Sequence, residues 1–131
     1  MAKMKPAPKL VEPKQEELIG LIQGITPGSK NEWYVALALD KLRIDYIYQY
    51  SLSGGRGTRG GQMIDFVVYN PMATPVYVQG EYWHNEKTEN EDILKQADAE
   101  NYFKQTPILL YGDETDTKDK AYQTVMEKIG A

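Results

Sequence analysis

The stretch MIDFVVYNPMATPVYVQGEYWH, Met63 to His84, decides how this chain folds. Its first seven residues are apolar except for Asp65, and they end at Asn70-Pro71, a turn signal. Thr74-Pro75 closes the turn, and an apolar run returns from Val76 before turning polar at Gln79, Glu81 and His84. Two β-rich runs around a proline-marked turn predict an antiparallel hairpin at the centre of a sheet. Asp65 is the anomaly, because an ionised aspartate buried without partners costs several kcal/mol. It needs a cation, several hydrogen-bond donors, or a place at the strand's open edge.

Upstream, Ile44 to Tyr50 alternates Ile and Tyr as a further strand would. Between it and the hairpin lies SLSGGRGTRGGQ, with five glycines, Arg56 and Arg59. This loop lacks the Gly-Lys-Ser/Thr ending that places a lysine on a phosphate. A glycine chain can still run close to a phosphate backbone, since no Cβ atoms hold it away. Arg56 and Arg59 are therefore candidate DNA contacts, and a mobile hairpin connection is the plainer alternative. Further back, Ser29-Lys30-Asn31-Glu32 reads as a capping box opening a helix to about Leu42, with Val35, Leu39 and Leu42 buried. Glu32 projects from the same face as that stripe, so it is either a cap or a carboxylate of a site. A short helix is predicted from about Gln15 to Gln23, ended by Gly24. Residues 1–14 form a basic arm, denied a helix by Pro6, Pro8 and Pro13. It is either a disordered tail or an arm along a partner or a phosphate backbone.

Downstream, a polar connection from Asn85 to Asn90 leads into a helix from about Glu91 to Phe103. Leu94 and Tyr102 mark its apolar stripe and put Asp98 between them. A strand from Ile108 to Tyr111, the acidic surface loop GDETDTKDK and a last helix from Asp119 or Lys120 complete the chain. This order predicts one α/β (α+β) domain over residues 15–131. Its mixed central sheet would hold an antiparallel hairpin plus one strand reached by a helical crossover, flanked by helices.

The chain's 131 residues, 41% hydrophobic, suffice for one core. No apolar run approaches the roughly 20 residues that span a bilayer, so no membrane partner is expected. The basic start lacks the apolar block of a secretion signal, and the chain has no cysteine. Both suit a cytoplasmic protein. A net charge of −4 excludes a uniformly basic coat for nucleic acid but not a local basic groove.

Asp65 has company across the hairpin. Gln79 and Glu81 alternate on one face of their strand, and one register sets that face beside Asp65, while a slip of one residue turns it away. In the favourable register, oxygens from Asp65, Gln79 or Glu81 converge with Glu32 from the packed helix. Oxygen-only ligation suits Mg²⁺ or Mn²⁺. His84, just past the strand, is the candidate general acid or base near neutral pH. Each has a plainer reading, Glu81 facing solvent and His84 a half-buried polar residue. Asp98 either pairs with Lys95, itself a candidate DNA contact, or orients His84.

The helix with Glu32, the glycine-rich turn, MIDFVV, the hairpin, VYVQGEYWH and the helix with Asp98 together resemble the PD-(D/E)XK nuclease superfamily. The likeness is to the very-short-patch repair endonuclease branch and related small phage and bacterial nucleases. It covers about residues 29 to 112, and Asp65-Phe66 followed by Gly80, Tyr82, Trp83 and His84 is its most specific part. The resemblance implies a restriction-endonuclease-like core and a Mg²⁺-dependent DNA endonuclease. It makes Asp65 the central metal ligand, completed by the Val78 carbonyl or the Gln79 side chain. It sets His84 near the scissile phosphate and makes Glu32 the helix carboxylate.

Two departures matter. The superfamily's Glu-x-Lys reads Gln79-Gly80-Glu81 here, so the lysine that would stabilise the attacking water is missing. Without cysteine, the structural zinc of the repair branch cannot form, and mismatch recognition is not implied. The alternative is a nuclease fold that has lost its chemistry and works as a structural or interaction protein. A phage-particle component is one example, meeting its partner, or a second copy in a homodimer, through the arm. That protein would reside in the virion.

Overall fold

A computed structural model describes residues 19–57, 60–79 and 86–130, with residues 86–89 as backbone only. The basic arm, Arg59, Glu81 and His84 lie outside the described residues. The elements run α1 Lys30–Lys41, β1 Asp45–Leu52, β2 Gln62–Tyr69, β3 Ala73–Gln79, α2 Glu86–Phe103, β4 Ile108–Tyr111, a 3-10 turn Gly112–Glu114 and α3 Lys118–Lys128. The sheet order is β1-β2-β3-β4. The first two pairings are antiparallel, and β4 lies parallel to β3 after the crossover through α2. The mixed α/β sheet with a central hairpin and flanking helices is thus the architecture read from the sequence.

Each face of the sheet has its own core. On one side Val35 and Leu39 of α1 and Val125 of α3 meet Tyr48, Phe66, Val68, Val76 and Leu110. Phe66 is fully buried there, its ring 5.6 Å from that of Tyr46 and 5.0 Å from that of Tyr48. On the other side Ala99 of α2 packs over Leu52, Ile64 and Val67. The helix starts follow local chemistry. Ser29 Oγ accepts the Glu32 N–H at 3.1 Å, and Thr117 Oγ1 accepts the Lys120 N–H at 3.1 Å. These bonds satisfy backbone donors that have no partner inside the helix.

Four of the differences from the sequence reading have identifiable physical causes. Where the short helix reaches the described residues, Ile22 and Ile25 instead pair across a Gln23-Gly24 turn with φ of 51° and 82°. Gly24 is there for its left-handed backbone and not as a helix stop. The turn lets the Gln23 amide cover the open edge of β1, donating to the Tyr46 carbonyl at 2.6 Å and accepting from the Tyr48 N–H at 2.8 Å. Thr74-Pro75 lies inside β3 and not in a turn. Pro75 faces Val67 of β2, and parallel pairing with β4 begins only at Val76, so its missing N–H costs no bond to β4.

Helix α2 begins at Glu86, five residues early, because the run read as a polar connection is rich in helix formers, with acids at the positive end of the helix dipole. Helix α3 begins at Lys118, directly after its Thr117 cap. No helix among the described residues is long and apolar enough to cross a membrane.

The two-sided core makes a direct stability comparison. Phe66→Ala, fully buried, should lose about 3–5 kcal/mol in urea unfolding. Leu94→Ala, at 69% exposure on α2, should stay within about 0.5 kcal/mol of wild type.

Candidate functional site

The site begins with a break in the sheet. β1 and β2 pair regularly from Asp45↔Tyr69 to Tyr48↔Phe66 and again from Tyr50↔Ile64, but the rung between, Gln49 with Asp65, is skipped. Gln49 takes a left-handed φ of 58°. The consequence is a change of face. Tyr48 and Phe66 belong to the core under α1 and α3, whereas Tyr50 and Ile64 belong to the core under α2. Residues two apart on one strand should share a face, so both strands reverse at this rung. On the other side, β2 and β3 pair from Tyr69↔Ala73 to Phe66↔Val76 and no further, while β3 continues along β4 to Gln79↔Tyr111.

Asp65 stands where the strands part. Its Oδ2 accepts the Val78 N–H at 2.8 Å, so a side-chain carboxylate does the work of a ladder carbonyl. Beyond that bond opens a cavity of about 280 Å³ between the diverging strands, the glycine loop and α2. Asp65, Val78 and Gln79 line it from the sheet, Arg56 from the loop, and Asp92, Lys95 and Gln96 from the helix. Gln79 and Asp65 thus line the same cavity. Burial pushes the Asp65 carboxyl up to about 7, and the negative charge of Glu32 adds to the rise. The Val78 N–H and the positive charge of Arg56 oppose it.

Glu32 is not where the convergent site would put it. It does not line the cavity, because its carboxylate is taken up elsewhere. Ser29 Oγ meets its Oε2 at 3.2 Å, and the Tyr48 hydroxyl donates a short hydrogen bond to its Oε1. The Gly28 N–H in turn donates to the Tyr48 hydroxyl at 3.0 Å. A Cβ on Gly28 would come within 3.1 Å of both Glu32 oxygens, so the turn before α1 is shaped around this carboxylate. Burial and the bond to Glu32 push Tyr48 up to about 12, which keeps it a donor. Glu32 is thus a capping-turn residue that acts on Asp65 through its charge alone.

Sequence reasoning missed the helix side of the cavity. Leu94 and Tyr102, read as the apolar stripe of α2, are 69% and 59% exposed, and Asp98 between them is exposed. The inward stripe is Asp92, Gln96, Ala99 and Phe103 at the same helical spacing, with two polar residues where it crosses the cavity. Buried Gln62 was missed as well. Its Nε2 donates to the Lys95 carbonyl at 2.8 Å, and its Oε1 accepts the Tyr77 hydroxyl at 2.8 Å, pinning α2 to the sheet beside the cavity. Burial, then the charges of Asp65 and Asp98, hold the Tyr77 hydroxyl well above its ordinary value. The signal for Gln62 was a polar side chain at an inward strand position with Tyr77 as its partner.

Among the described residues no three or more His, Asp or Glu side chains cluster as a metal site. The oxygen-bearing side chains that line the cavity include Asp65, Gln79, Gln62 and Tyr77 from the sheet and Asp92 and Gln96 from the facing helix. Comparisons with protein-family models, curated proteins and solved structures find no match to this chain.

The raised Asp65 carboxyl has a sign that can be checked. Between about pH 4 and 7 the folded chain holds a proton that the unfolded chain releases, so this group's contribution to stability falls as pH rises through that window. Asp65→Asn keeps an acceptor for the Val78 N–H and removes the titration. It should melt with wild type near pH 4 and above it at pH 8 in thermal unfolding.

Proposed function

We propose that this protein is a divalent-metal-dependent hydrolase of DNA phosphodiester bonds, built on a restriction-endonuclease-like core of the PD-(D/E)XK kind. The observation that carries the reading is the Asp65 carboxylate standing with Gln79 at the cavity where β2 and β3 part. The mixed sheet with its antiparallel hairpin and flanking helices supports it.

The donor set fits a hard divalent cation. The sheet side offers oxygens from Asp65, Gln79 and the Val78 carbonyl, and burial has left the carboxylate short of positive charge. These three residues would hold Mg²⁺ or Mn²⁺. When bound, such an ion lowers the pKa of water and neutralises charge at a phosphoryl oxygen. The chain's own residues do the rest. The Val78 N–H holds the Asp65 Oδ2 and so fixes the carboxylate at the cavity. Arg56 and Lys95 bring positive charge to the phosphate, with Arg59 further along the same loop. Glu32 keeps Asp65 avid for a cation. His84, five residues past Gln79 in the sequence, is the proposed general acid or base, with Glu81 three residues before it in the chain.

A second reading keeps the fold without the chemistry, as an interaction module such as a phage-particle component. Two observations favour it: Gln79-Gly80-Glu81 has no lysine, and the groove adjoining the cavity is acidic, lined by Glu91 and Asp98.

Nicking of supercoiled plasmid with Mg²⁺ or Mn²⁺ separates the two. Wild type should nick, and chelation should stop it. Asp65→Ala should be inactive, and His84→Ala should be slower by about 10²–10⁴-fold. Nicking by wild type no greater than by Asp65→Ala sinks the enzyme reading. A second expectation concerns the ion itself. Because it competes with the proton on Asp65, Mg²⁺ affinity by calorimetry should weaken about tenfold per pH unit below about 7 and level off above.

A further inference from the structure

The loop between β1 and β2 is not a slack connection at its base. Ser53, Gly54 and Gly55 take consecutive left-handed φ values of 57°, 94° and 82°. The Gly55 N–H returns to the Leu52 carbonyl at 3.3 Å, and Gly55 is buried. The chain coming back into β2 then crosses this coil at Gly61. A Cβ there would stand 2.3 Å from the Gly55 carbonyl oxygen and 2.6 Å from that of Ser53. Both neighbours are backbone, so no side chain can swing aside to admit it. Only glycine permits the crossing.

Arg56 leaves directly from this crossing, and it lines the Asp65 cavity. Lys95, the other cation there, sits at the rim shared with the neighbouring groove, in the company of Glu91, Asp92 and Asp98. Arg56 lines the inner cavity and not that groove, and its charge reaches the Asp65 carboxylate. We propose that Arg56 is the phosphodiester-engaging cation of the Asp65 cavity, delivered by the Gly61 crossing, and supplies the positive charge that Gln79-Gly80-Glu81 lacks. This rests on the hydrolase reading for its substrate. The planar guanidinium can grip two phosphate oxygens through a rigid pair of parallel N–H bonds, a fork that a lysine ammonium lacks.

The test pairs a binding and a cleavage measurement on full-length protein. Binding of a fluorescein-labelled DNA duplex is read by anisotropy in Ca²⁺ across a salt series, and nicking of supercoiled plasmid in Mg²⁺. Arg56→Gln should weaken binding by about 10- to 100-fold. It should also lower the salt slope by about 0.9, the loss of one phosphate contact, which a merely structural role would not do. Arg56→Lys should fall between, and Lys118→Gln, at the remote start of α3, should match wild type. Gly61→Ala should reproduce the Arg56→Gln defect, and if it does not fold, the two Arg56 variants still decide.

Binding and nicking by Arg56→Gln equal to those of Lys118→Gln overturn the role of Arg56 and leave the hydrolase reading standing. Arg56-dependent binding without nicking upholds Arg56 and overturns hydrolysis. No duplex binding by wild type overturns both.

Discussion

The hydrogen bond from the Val78 N–H to the Asp65 carboxylate governs this structure. It joins β2 to β3 at a place where their backbones have stopped pairing. A ladder bond there would have zipped the strands together to their ends. A side chain in the same role holds them tethered but parted, and the space between becomes the cavity. The skipped Gln49–Asp65 rung is the other half of the same event. Freed from both neighbours' ladders, Asp65 can turn its carboxylate toward β3, and the strands reverse their faces around it. β-strands tolerate such interruptions where they re-aim a side chain.

Around that bond the influences that disfavour the charged carboxylate outweigh the Val78 N–H and Arg56, which favour it. Burial disfavours the charged carboxylate, and Glu32 adds a second negative charge. Glu32 is itself locked by Tyr48 and Ser29, so it cannot turn away. A core built only for stability would place an apolar residue at position 65. A half-buried acid with a nearby like charge is an arrangement that clusters at functional sites, and it supports the proposal of a cation there. Arg56 supplies part of that charge from the glycine loop, and an ion would supply the rest.

Much of the fold was legible in the sequence because it rested on strong local signals. Ile108 to Tyr111 forms β4 at the residues expected, and the Ser29 cap opens α1 as read. That Gln79 and Asp65 line one cavity depends on where β2 and β3 part, which no local pattern in the sequence marks. What failed did so for identifiable reasons. The short helix read as far as Gln23 gave way there to a turn, because Ile22 pairs with Ile25 and Gln23 bonds to β1, contacts that local pattern does not reveal. On α2 the larger apolar residues drew attention to the wrong face, because Ala99 and Phe103 make a smaller stripe than Leu94 and Tyr102. Glu32 had two readings, and the Tyr48 hydroxyl, distant in sequence, chose the capping turn.

The central claim is that strand parting leaves Asp65 a cation-hungry carboxyl, and its titration tests that most directly. The Asp65 side-chain ¹³C shift, followed by NMR from pH 3 to 9, should show a midpoint near 7 that moves down when Mg²⁺ is added. A midpoint near the ordinary value of about 4, unmoved by Mg²⁺, would contradict the account.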